Sequence, residues 1–141
     1  MANIGKLNAA IYRNLQSIIN SKLKDLPILS GQHDFFYVIS NREGITQKEL
    51  SEHLYIGKST TAKAVKHLIE QGYVRKEKDT KDRRFERLYL TDKGKEIAPK
   101  VRATFTEVVE ITTKNLTEGD IEQTVTLLKR ILDNVSSDYT V

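Results

Sequence analysis

The stretch ITQKELSEHLYIGKSTTAKAVKHLIEQG, residues 45–72, leaves the chain little choice about its local structure. Thr46-Gln47-Lys48-Glu49 is a capping box: the threonine hydroxyl and the glutamate carboxylate are spaced to satisfy backbone donors that a helix start leaves open. The helix it opens is short and runs to about His53. Tyr55-Ile56-Gly57 supplies a tight turn, and a second helix spans residues 58–71, closed by Gly72. Two short helices joined by a tight glycine-containing turn make a helix-turn-helix unit.

Beyond Gly72 the period changes. Residues 73–78 and 85–90 alternate as strands do and flank the polar stretch 79–84, which predicts a two-stranded hairpin with Leu88 and Leu90 facing the core. An isolated hairpin is marginal in water, so this one has to lean on the helices before it. Its tip carries Lys81, Arg83 and Arg84 beside Asp82. A carboxylate two residues before Arg84 can hold the guanidinium in place, so that less side-chain entropy is lost on binding.

The remaining chain is helical by periodicity. Ile4, Leu7, Ile11, Leu15, Ile18 and Ile19 recur at three- and four-residue steps over residues 3–24. After Pro27, residues 32–40 offer Phe35, Phe36, Val38 and Ile39, a short and mostly buried helix. Thr91-Asp92 starts another, with Ile97, Val101, Phe105 and Val108 on one face; Pro99 either kinks it or marks its true beginning. Residues 117–120 open the last helix, where Ile121, Val125, Leu128, Leu132 and Val135 form a coiled-coil-like seam about two heptads long.

Charge is distributed unevenly. The net charge is only +4, but residues 58–87 carry ten Lys/Arg against five Asp/Glu, and residues 101–141 carry four against seven. A basic central surface fits a polyanionic partner. On a helical wheel of residues 58–71, Thr61, Ala62, Val65, Leu68 and Ile69 fall on the core side. Ser59, Thr60, Lys63, Lys66, His67 and Glu70 fall on the opposite arc. An α-helix fits the major groove, where Ser, Thr and Lys can meet base edges or phosphates. That arc alone suits a plain solvated face equally well; the helix-turn-helix context and the basic hairpin favour DNA. A hairpin directly after such a helix reaches the flanking backbone, and the narrow minor groove attracts arginine.

Other classes find little support. There is no cysteine, which excludes disulfides and thiolate metal sites. No Gly-rich phosphate loop, no His-Glu-x-x-His and no paired carboxylates are visible, so no enzyme and no cofactor is expected. The three histidines fall on three different elements without ligand spacing, so no metal is expected. No apolar run is long enough to cross a bilayer, and the N-terminus lacks the apolar stretch of a signal peptide, which makes the cytoplasm the expected location. The rival reading is a winged-helix module that binds protein or RNA; a protein-interaction module leaves Lys81, Arg83 and Arg84 beside a Ser/Thr/Lys helix face without a purpose.

Residues 44–94, GITQKELSEHLYIGKSTTAKAVKHLIEQGYVRKEKDTKDRRFERLYLTDKG, resemble the multiple-antibiotic-resistance regulator (MarR) family of winged helix-turn-helix transcription factors nearly end to end. ITQKEL matches the first short helix, GKSTTAKAVKHLIEQG the recognition helix, DTKDRR the wing, and LYLTDKG the second wing strand and helix start. The resemblance implies a mainly α fold with a small β-hairpin wing: a winged helix-turn-helix over residues 29–94, an N-terminal dimerisation helix in 1–28 and C-terminal dimerisation helices in 95–141. It implies a homodimer on a pseudo-palindromic operator with half-sites about 10 bp apart; in the family repressors are more common than activators, and nothing in these residues decides between them. Carried over residue by residue, Ser59, Thr60, Thr61 and Lys63 match major-groove positions, and Asp82 with Arg84 matches the wing pair whose arginine enters the minor groove. Lys66, His67, Lys81 and Arg83 complete the expected DNA surface. Gly57 departs from the pattern, standing where many relatives place Ser or Asp as helix cap. Many relatives respond to small, often aromatic anions; Tyr12, Arg13, His33 and Tyr37 are the residues here that such an effector would meet.

Overall fold

A computed structural model describes residues 3–29 and 31–139. In chain order it has α1 (Ile4–Lys22), α2 (His33–Asn41), β1 (Ile45–Thr46), α3 (Gln47–Leu54), α4 (Lys58–Glu70), β2 (Val74–Lys78), β3 (Glu86–Leu90), α5 (Asp92–Thr112) and α6 (Glu118–Tyr139). The chain divides into two compact units, residues 1–108 and 109–141.

The first unit is built around α2, α3, α4 and the sheet. Each piece starts where its local chemistry dictates. At α3, Thr46 Oγ1 accepts from Glu49 N at 3.2 Å while Thr46 N donates to Glu49 Oε1 at 3.1 Å, so the capping box is complete. The Thr46 backbone donation is also the main reason the Glu49 carboxyl sits below the usual carboxylate range. The turn between α3 and α4 falls at Tyr55-Ile56-Gly57 as expected. The left-handed residue is Tyr55 (φ 56°), while Gly57 is extended (φ −63°) and serves as the helix cap. Gly72 does adopt φ +83° after α4, as a helix-closing glycine should.

The expected two-stranded hairpin is the larger part of a three-stranded antiparallel sheet ordered β1-β3-β2. Ile45 pairs with Leu88, and Val74, Lys76 and Lys78 pair with Leu90, Leu88 and Glu86. Strand alternation puts Leu88, Leu90 and Val74 on the inner face, where all three are buried. They join Phe36, Ile39, Leu50, Val65, Leu68, Tyr73 and Val101 in one core. Each fully buried aliphatic side chain of this kind stabilises by about 1.5–3 kcal/mol. Phe36 meets Tyr73 edge-on, with ring centroids 6.3 Å apart.

The wheel of α4 needs one correction and is otherwise upheld at Thr61. Ala62, expected inside, is exposed, and Ala64 is buried in its place. Thr61 is fully buried and its hydroxyl donates to the Gly57 carbonyl at 3.0 Å.

Helix α5 starts at Asp92 and runs through Pro99 without ending there, and the Thr91 hydroxyl accepts from Gly94 N at 3.1 Å. Val101 and Val108 on its inner face are buried. Arg102 donates to the Ser40 carbonyl and to Asn41 Oδ1 at 2.9 and 3.1 Å, which satisfies acceptors at the C-terminal end of α2.

In the second unit Thr117 and Asp120 exchange hydrogen bonds of 2.9 and 3.0 Å at the start of α6. The seam of this helix is largely unburied, with Val125, Leu128 and Val135 each more than 40 % exposed.

Candidate nucleic-acid interface

Helix α4 presents one polar face to solvent. Ser59, Thr60, Lys63, Lys66 and His67 are all exposed. Thr61 is the exception among the residues matched to major-groove positions. Its burial and its bond to Gly57 make it a structural threonine, because the wheel places position 61 between Val65 and Leu68 on the core arc. The start of the helix is open. Gly57 gives no side-chain cap and the first turn has no acidic residue, so the helix N-terminus keeps its partial positive charge for an incoming anion.

The wing tip is a small, internally braced structure. Asp79 N donates to the Phe85 carbonyl at 2.9 Å and Phe85 N to the Asp82 carbonyl at 3.1 Å, which close the loop. Asp82 grips Arg84 with a fork: Nε reaches Oδ1 at 3.0 Å and Nη2 reaches Oδ2 at 2.7 Å. Arg84 N adds a third bond to Oδ1 at 3.1 Å. The side-chain bonds from Arg84 and then its backbone N–H hold the Asp82 carboxyl below its ordinary range. Even so gripped, the Arg84 side chain is 85 % exposed. A fork-held guanidinium standing in solvent is positioned for a phosphate or a narrow groove. Lys81 and Arg83 are exposed beside it, and among the described residues neither side chain is in an ion pair.

Two residues that sequence reasoning missed fix the base of the wing. Arg87 binds Asp79 Oδ2 through Nε and Nη2 at 3.1 and 2.9 Å and the Gly44 carbonyl through Nη1 at 2.9 Å. The backbone N–H of Lys81, then the Arg87 side chain, keep Asp79 below the usual carboxylate range. One guanidinium thus ties the hairpin to the loop before β1. The signal for it was only the eight-residue spacing across a hairpin. The Gly44 contact joins positions 43 apart, so no local pattern marks it.

The four effector candidates differ in their surroundings. Tyr12 and Arg13 on α1 are exposed, while His33 is buried at the start of α2 with neither ring nitrogen hydrogen-bonded. Tyr37 is half-buried and stacks on Phe105, with ring centroids 4.2 Å apart. Among the described residues no group of three or more His, Cys, Asp or Glu is placed to hold a metal ion, and no helix is long and apolar enough to cross a membrane.

A helix-turn-helix leading into a braced two-stranded wing on a third short strand defines a winged helix-turn-helix protein. Known proteins point the same way. The MarR family profile matches residues 24–84. The HTH-type transcriptional regulator YybA of Bacillus subtilis is 32 % identical over 129 residues, covering 92 % of this chain and 86 % of that one. Among solved structures, the transcriptional regulator SlyA superposes with a TM-score of 0.82 at 30 % identity, covering 97 % of this chain and 96 % of its own. A MarR-family transcriptional regulator from Listeria monocytogenes, crystallised with a 26-mer DNA, does so at 0.83 and 28 % identity, covering 98 % and 92 %. The chain belongs to the MarR family of winged helix-turn-helix transcriptional regulators, and the relatives it matches are regulators and not enzymes.

Proposed function

We propose that the protein acts as a homodimer that binds a pseudo-palindromic operator and represses transcription, with α4 in the major groove and the wing, residues 79–84, in the minor groove. The observation that carries this reading is the Asp82–Arg84 fork. It displays one arginine in solvent at the tip of a hairpin that comes directly after an exposed Ser/Thr/Lys helix face. The reading residues are Ser59, Thr60, Lys63, Lys66 and His67 on the helix and Lys81, Asp82, Arg83 and Arg84 on the wing.

Dimerisation is supported by apolar surface with no other use. Ile4, Leu7 and Ile11 of α1 are each more than half exposed. On α6, Val125, Leu128 and Val135 make a second open stripe. A second copy of the chain would cover both kinds of surface, with residues 29–94 left to face DNA and 1–28 and 95–141 serving assembly. Release by a small aromatic or anionic effector belongs to the same reading, and Tyr12, Arg13, His33 and Tyr37 are the residues to vary in testing it. A repressor of this kind works in the cytoplasm.

The test is fluorescence anisotropy against DNA from upstream of the protein's own gene, with wild type beside Arg84→Ala and Asp82→Ala. Expected are a steeply salt-dependent complex of two subunits per site, a tenfold or greater loss without Arg84 and a smaller loss without Asp82; that magnitude is one strong base or phosphate contact of about 1–3 kcal/mol. Specific binding that survives Arg84→Ala intact would remove the wing from the reading.

A further inference from the structure

If α4 occupies a major groove and the wing the neighbouring minor groove, one sugar-phosphate strand has to pass between them, because that strand is the wall separating the two grooves. The surface it would cross is shaped to receive it. One groove, of about 250 Å³, lies between the wing and the start of α3 and is lined by Gln47, Lys48, Lys76, Arg84 and Phe85, with Glu86 and the base formed by Leu88 and Thr46. One of larger volume, about 560 Å³, lies against α4 and is lined by Ala62, Lys66, Ile69 and Glu70 together with Gln47 and Lys76. Gln47 and Lys76 line both grooves, so the two lie side by side and mark out a track from the recognition helix toward the wing.

The chemistry of the track matches a nucleic-acid backbone. Lys48, Lys66, Lys76 and Arg84 outnumber the two carboxylates, Glu70 and Glu86. Lys48 and Lys76 are exposed, and among the described residues neither side chain is in a hydrogen bond or an ion pair. Phe85 is 48 % exposed, unusual for an aromatic ring on a charged wing. It gives the track one apolar wall, as a deoxyribose face requires, while the lysines suit phosphates.

We propose that this track seats the sugar-phosphate strand between the two grooves, with Lys48 and Lys76 neutralising phosphates and Phe85 packing against a sugar. The proposal rests on the DNA-binding reading above and adds a sequence-independent anchor to it. Phosphate contacts fix register without reading bases, so this anchor acts on every duplex alike.

The test uses the intact protein with Lys48→Ala, Lys76→Ala and Phe85→Ala, beside Arg84→Ala. Binding is measured against salt on the upstream fragment and on a random-sequence duplex of equal length. Each lysine variant should weaken binding by the same factor on both duplexes and lower the slope of log K on log salt by about one. Phe85→Ala should weaken binding and leave the slope unchanged. A duplex carrying a neutral methylphosphonate at the linkage facing Lys76 should lose nothing further when Lys76 is removed. Wild-type affinity and slope in both lysine variants, with Arg84→Ala still damaging, would empty the track and leave the DNA-binding reading standing. A loss confined to the upstream fragment would make these residues base readers and also overturn the proposal. No binding by the wild type to either duplex would remove both readings.

Discussion

Replacing Gly94 with alanine should damage this fold more than its small size suggests. Gly94 lies in the first turn of α5, beside the strand that carries the wing. A Cβ built there would stand 2.2 Å from the Tyr73 carbonyl oxygen and 3.2 Å from its carbon. Carbon and carbonyl oxygen ordinarily approach no closer than about 3.3 Å. Helix and strand would therefore have to part by about an ångström, and neither atom belongs to a flexible side chain that could swing away. The same carbonyl accepts Thr91 N at 3.1 Å, so the parting also stretches a hydrogen bond at the helix start. Overpacking costs about 1–3 kcal/mol, with this backbone clash at the upper end, and the hydrogen bond about 1 kcal/mol. Alanine returns about 1 kcal/mol through helix propensity. The expected net loss is thus about 3 kcal/mol.

Urea unfolding monitored by circular dichroism measures it as a lowered midpoint at constant slope. Gly5→Ala and Gly119→Ala are the internal controls, because nothing lies within 4 Å of a Cβ at Gly5 and only the Thr117 hydroxyl, at 3.7 Å, at Gly119. Both should be neutral or gain up to about 1 kcal/mol. A Gly94→Ala protein within about 0.5 kcal/mol of wild type, the range of an ordinary surface change, would refute the packing argument.

Thr46→Ala removes the acceptor for Glu49 N and one half of the capping box, so stability should fall by about 1 kcal/mol; an unchanged urea midpoint would mean that α3 is held by packing alone. Burial lowers the His33 pKa, so as pH falls below about 6.5 the unfolded chain takes up its proton first and stability drops toward the folded value, being fully present above that pH. His33→Leu should flatten that dependence and, by removing two unpartnered ring nitrogens, raise stability at about pH 6 by about 1–2 kcal/mol; an identical pH profile in the variant would assign the dependence to another group.

Much of the fold was legible because its boundaries are written in local chemistry. The Thr46–Glu49 box, the glycine at 72 and the alternation ending in Leu88 and Leu90 each act within a few residues, and each appears where it was read. Strand β1 was not legible, because two residues have no period; only pairing with Leu88 and Arg87 makes Ile45–Thr46 a strand. The cap position of Gly57 was legible, whereas the left-handed backbone of Tyr55 was not, because nothing in its residue type marks it. On α4 a wheel with uniform steps could not decide between Ala62 and Ala64, since an alanine's side depends on which neighbour arrives. Family likeness carried Thr61 to the DNA face, where the wheel had already turned it inward, and the wheel was the better guide. The lysine pair at 48 and 76 stayed hidden for another reason. The two positions lie far apart in the chain on different elements, and only the folded sheet sets them beside one groove.

Among the described residues, the hydrogen bonds that shape the wing tip have both ends inside residues 79–85, and Arg87 ties Asp79 to the body of the protein. The tip is therefore an interchangeable cassette. Substitutions between its two anchors leave the hydrogen bonds that tie Arg87 to Asp79 and Gly44 in place. A tip braced from within in this way keeps its shape without drawing on the hydrophobic core.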